Sequence, residues 1–89
     1  MAAERLKKLL NQANGRLKRD GYRLAIAQRG QLLILRGTLP PQEGETTPRQ
    51  RRLPTKLRAT TNNVLAAEKM AREVGRSLIE KTFDWGDWG

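Results

Sequence analysis

Cysteine and histidine are both missing from this 89-residue chain. The first absence excludes disulfides and thiolate zinc sites. The second removes the commonest general base and the commonest metal ligand. Of the four aromatic residues, only Tyr22 lies outside the C-terminal stretch from Phe83 to Trp88, so the chain has little on which unpaired bases could stack. The longest apolar run, Leu32 to Leu35, is far too short to span a bilayer, and Met1-Ala-Ala-Glu-Arg5 lacks the apolar region of a signal peptide. The expected setting is the cytoplasm. Acid is scarce as well. The near-neighbour carboxylates Glu43 and Glu45 lie in a segment with Pro40, Pro41, Gly44 and Pro48 and nothing to desolvate them, so catalytic tuning is not expected. The chain reads as non-catalytic, with no cofactor, no metal, no membrane and no small-molecule substrate.

What the chain has is positive charge, unevenly placed. Residues 1–58 carry 14 basic and 4 acidic side chains, a net of +10; residues 59–89 carry 4 and 5, a net of −1. Such asymmetry suits a polyanionic partner. Leu6, Leu10, Ala13 and Leu17 recur at helical spacing, predicting a helix over Ala3–Arg19, with a possible break at Asn14–Gly15 and a stop at Asp20–Gly21. Tyr22–Gln28 and Gln31–Arg36 read as a hairpin around an Arg29–Gly30 turn. Thr38 to Gln50 reads as a long exposed loop. Arg51–Arg58 reads as a third strand, placed at an edge or bulged because Pro54 has no N–H. The Thr60–Asn63 cluster offers N-caps for a helix to about Lys81, with Val64, Ala67, Ala71, Val74 and Leu78 inward and Glu68 and Arg72 on the opposite face. The fold class is α+β: a helix, a three-stranded antiparallel sheet, and a helix packed on one face of it.

A two-residue Arg29–Gly30 loop sets Arg23 opposite Arg36, Leu24 opposite Leu35 and Ile26 opposite Leu33. One face then carries Leu24, Ile26, Leu33 and Leu35, joined by Leu53 and Leu57 of the third strand. The other carries Arg23, Ala25, Ala27, Leu32, Ile34 and Arg36, joined by Arg52, Lys56 and Arg58, with the small residues Ala25 and Ala27 at its centre. Arg29 projects from the tip, and Arg51 opens the third strand. Like charges directly across a strand pair are destabilising, and an anion supplies a reason for them. A ribbon of this width fits a B-DNA major groove, where arginine can fork onto phosphate or guanine. A one-residue slip would exchange the faces. Arg23, Arg29, Arg36, Arg51, Arg52, Lys56 and Arg58 are therefore the candidate DNA-binding residues.

The order Leu35-Arg36-Gly37-Thr38-Leu39-Pro40, then Arg52-Leu53-Pro54-Thr55-Lys56-Leu57, Ala59-Thr60 and Thr82-Phe83-Asp84-Trp85 resembles the N-terminal arm-type DNA-binding domain of phage-like integrases, the tyrosine recombinases. Ala13-Asn14-Gly15-Arg16-Leu17-Lys18 resembles cyanobacterial members. The resemblance implies a sheet face in the major groove of arm-type sites in double-stranded DNA. It also implies a DNA-binding domain at 22–82 after a helix at 1–21, and a linker at 83–89 toward core-binding and catalytic regions not present here, with other integrase domains or protomers as partners. Two other readings are a double-stranded RNA-binding module and a protein-interaction domain using the basic N-terminal helix, with Arg5, Lys7, Lys8, Arg16, Lys18 and Arg19 toward an acidic partner.

Overall fold

In the computed structural model, which describes residues 2–42 and 44–88, helix α1 (Ala2–Arg19) runs unbroken through Gly15. Strands β1 (Leu24–Arg29), β2 (Leu32–Leu39) and β3 (Arg49–Arg58) follow, then a 3-10 turn (Thr61–Asn63) and helix α2 (Val64–Glu80). The sheet is antiparallel in the order β1-β2-β3, which establishes the α+β arrangement expected from the sequence. Both helices pack on one face. Leu6, Leu10, Ala13 and Leu17 of α1 join Val64, Ala67, Ala71 and Val74 of α2 and Leu24, Ile26, Leu33, Leu35, Leu39 and Leu53 of the sheet in a single buried cluster.

The hairpin register differs from the expected one. Arg29 pairs with Leu32, Ile26 with Leu35, Ala25 with Arg36 and Leu24 with Gly37. The turn is therefore Gly30–Gln31. The reason is local: the first turn position requires a positive φ, which Gly30 adopts at 61° and an arginine there would adopt only under strain. The displacement is two residues, an even number, so every side chain keeps its expected face. Arg23 precedes β1 and has no strand partner.

β3 is an edge strand and is also bulged. Three of its residues, Thr55, Lys56 and Leu57, stand opposite the single Leu33. Lys56 takes φ 63°, and Pro54 faces solvent. The buried Thr55 hydroxyl holds the distortion together, donating to the Leu33 carbonyl at 2.6 Å and accepting from the Leu57 N–H at 3.1 Å. This insertion is again even, so Arg58 stays on the side of Arg52.

The other edge, β1, is covered by one side chain. The Asn14 amide donates to the Ile26 carbonyl at 2.9 Å and its oxygen accepts from the Ile26 N–H at 2.7 Å. An unpaired strand edge invites association with other chains, and Asn14 closes β1 at its centre. Replacing Asn14 by alanine strips two part-buried backbone groups of their partners. The expected cost is about 1–2 kcal/mol, read as a lowered urea midpoint at unchanged slope.

Three further expectations are corrected. Asn63 stands at the N-cap of α2 but its side chain makes no capping bond; it donates to the Arg58 carbonyl at 3.0 Å. Glu68 does not lie on the outer face of α2: it is 6% exposed and is held by Arg16 across the helix pair. Tyr22 is not on the sheet but lies against α2 at Gly75, where a Cβ would overlap its ring.

Candidate nucleic-acid interface

The face of the sheet away from the helices is organised in rows across the three strands. Ala25, Arg36 and Arg52 form one row; Ala27, Ile34 and Pro54 the next; Arg29, Leu32 and Arg58 the third. Arg29, Arg36, Arg52 and Arg58 are all exposed, as is Lys56 in the bulge. The expected contact of like charges, Arg23 with Arg36, is replaced by Arg36 with Arg52 on the neighbouring pair of strands. Among the described residues, no carboxylate pairs with Arg23, Arg29, Arg36, Arg52, Lys56 or Arg58, although seven ion pairs form elsewhere. These side chains stand uncompensated on a surface where their mutual repulsion is unfavourable.

Two shallow depressions mark this surface. One is bordered by Ala27, Gln28, Arg29, Ile34, Arg36 and Arg52. The other runs along the β1 edge, where Arg23 and Arg36 meet Lys18 and Asn14 of α1 and Gln50 of β3. Lys18 is a polar contributor that reading the strands alone missed. Its signal was the spacing Asn14–Lys18, which sets both on one side of α1, but only the Asn14–Ile26 contact shows that this side borders β1.

Arg51 is separated from the group. It pairs with Gly37 on the covered face, binds the Glu45 carboxylate and lies 5.8 Å from the centre of the Trp85 ring. Trp85 in turn donates its indole N–H to the Pro40 carbonyl at 3.0 Å and meets Phe83 edge-on at 5.2 Å. Glu45 also reaches Arg49 at 3.4 Å. The segment between β2 and β3 is thus fastened by Glu45 and Trp85, and it is shorter than expected because β2 runs to Leu39 and β3 begins at Arg49. Glu43 and the Trp88 side chain lie outside the described residues, so of the two loop carboxylates only Glu45 is placed.

Arg16 is likewise withdrawn from the surface expected of α1. Its guanidinium grips Glu68 through two hydrogen bonds of 2.6 and 3.0 Å. Arg72 bridges Glu68 at 3.1 Å and Asp20 at 2.7 Å, and lies 5.8 Å from the Tyr22 ring centre. The Arg16 guanidinium holds the Glu68 carboxyl below its ordinary range, with Arg72 reinforcing it against the opposing effect of burial. Arg72 does the same to Asp20. This network joins the two helices that cover the inner face of the sheet. Among the described residues, no cluster of acidic groups could hold a metal ion, and no helix is long and apolar enough to cross a membrane.

No solved structure matches the chain. Among curated proteins it is similar to Excisase C of Nostoc sp. (strain PCC 7120 / SAG 25.82 / UTEX 2576), 33% identical over 82 residues, covering 88% of this chain and 16% of that protein. It is similar also to Excisase A of the same organism, 31% identical over 83 residues, covering 88% and 18%. The chain thus spans less than a fifth of the length of these relatives. The XisA/XisC N-terminal domain matches residues 1–88, and the chain belongs to that family.

Proposed function

We propose that this chain is a duplex-DNA-binding module of a site-specific recombination protein, and that the open sheet face enters the major groove. The observation that carries the reading is the Arg36–Arg52 pair, flanked by Arg29 and Arg58, on a face that no helix covers and no described carboxylate neutralises. In this reading Arg23 and Lys18 on the β1 side, and Lys56 on the β3 side, meet the two phosphate walls. The similarity to two excisases supports a role in recombination. The finer reading is an N-terminal arm-type module of a tyrosine recombinase acting in the cytoplasm. In it, residues 83–89 lead toward core-binding and catalytic regions, other domains or protomers are its protein partners, and the module itself has no catalytic role. It rests on the segment order from Leu35 to Trp85.

Binding to a short DNA duplex is expected to weaken steeply with salt. With roughly three to five phosphates engaged, the slope of log affinity against log salt is about −3 to −5. Fluorescence anisotropy at several salt concentrations measures it. Amide shifts should move in β1, β2 and β3 and stay still in the outer turns of α2. Tighter binding to duplex RNA than to DNA overturns the reading, because the deep, narrow major groove of A-form RNA cannot admit a sheet.

A further inference from the structure

The middle row of the open face is apolar, and its two neighbours are cationic. Ala27 and Ile34 are half-buried and Pro54 is exposed; none of their side chains can donate or accept a hydrogen bond. The Arg36–Arg52 pair lies on one side, and the Arg29–Arg58 pair on the other with Leu32 between them, 46% exposed. A purely solvated cationic face gives no reason for isoleucine and proline in its middle row, or for an exposed leucine between Arg29 and Arg58. Repulsion between the flanking guanidinium groups and the apolar strip between them point to one occupant, a polyanion with apolar groups on its accessible edge.

The major groove presents one apolar group, the thymine 5-methyl. We infer that the Ala27–Ile34–Pro54 row reads thymine methyl groups, while the arginines on either side read guanine or hold phosphate. The inference rests on the proposed DNA interface and adds to it the base composition of the target. Rows two residues apart are separated by about 7 Å along the strands, roughly two base-pair steps of about 3.4 Å. With the strands following the groove, the site carries A·T pairs under Ile34 and G·C pairs about two steps to either side.

The test separates the two levels of the argument. The full chain selects a duplex from a random pool, and that duplex is remade with deoxyuridine for thymidine in its central pairs. Uracil keeps every hydrogen-bonding group and loses only the methyl. Each methyl removed should weaken binding about fourfold, the equivalent of about 0.8 kcal/mol for a buried methyl-sized group. With Ile34→Ala, the difference between the thymine and uracil duplexes should shrink, because the largest apolar group of the row is gone. If the unaltered chain binds both equally, or if Ile34→Ala retains the full difference, the methyl reading is overturned and the DNA interface stands. If no duplex is selected at all, the interface falls and the methyl reading with it.

Discussion

Arg36→Ala is expected to weaken duplex DNA binding by about 1–3 kcal/mol, roughly tenfold to a hundredfold, without destabilising the fold. The two halves of this expectation have one cause. Arg36 is exposed at the centre of β2 and stands directly across from Arg52 with no described acid beside either. In the free protein its charge meets another positive charge, so removing it relieves repulsion and should leave the melting temperature unchanged or slightly raised. In the complex the same charge meets the groove. If Arg36 reads a base, the loss falls on the selected sequence and spares unrelated duplexes; if it holds phosphate, the loss is uniform and the salt slope falls by about one. Arg52→Ala should behave in the same way. The double variant should lose less than the sum of the two, because the partner left by either single change is already relieved of its like-charged neighbour. Arg51→Ala is the contrast: Arg51 is engaged by Glu45 and Trp85, so its loss should be felt in stability before binding. A binding defect from Arg36→Ala that merely tracks a loss of folded protein would refute the interface.

The faces of the sheet were legible because alternation survives an even error. The expected turn at Arg29–Gly30 was misplaced, yet Leu24, Ile26, Leu33 and Leu35 still fall inward and Arg36 and Arg52 outward, since the displacement was two residues and the insertion at Lys56 was also two. What could not be read was anything set by the meeting of distant segments. Asn14 looks like a helix breaker beside Gly15, and only the approach of β1 makes it an edge clasp. Glu68 occupies a helix position that looks solvent-facing beside Arg72, until α1 arrives carrying Arg16. Arg51 and Arg52 are adjacent cations in the sequence, and alternation alone sends one outward. What becomes of the other depends on Glu45 and on Trp85, which lies 34 positions further along the chain.

The Glu68 network sets the second large expectation. Glu68 is 6% exposed and accepts hydrogen bonds from Arg16 and Arg72. Removing the carboxylate with Glu68→Ala leaves two guanidinium groups facing each other across the α1–α2 seam. Breaking a fully buried pair costs about 3–5 kcal/mol; Arg16 and Arg72 remain 38% and 34% exposed and can turn toward water, so roughly 2–3 kcal/mol is expected here. The pH dependence follows from the direction of the shift. Glu68 titrates lower in the folded chain than its ordinary 4.5, so its contribution is fully present above that value and is lost as pH falls through the lower, folded value. Asp20, lowered by Arg72, adds a loss in the same direction. The melting temperature of the unaltered chain should therefore hold steady above about pH 5 and drop as acid is added below it. Glu68→Gln should start lower and drop less, because the carboxylate held by Arg16 and Arg72 no longer titrates, while Asp20 still responds. DNA binding by the folded fraction should be unaffected at neutral pH, since this network spans the helix pair and none of its residues borders the depressions of the open face. An acid profile identical in the two proteins would show that the Arg16–Glu68–Arg72 contact contributes nothing to folding.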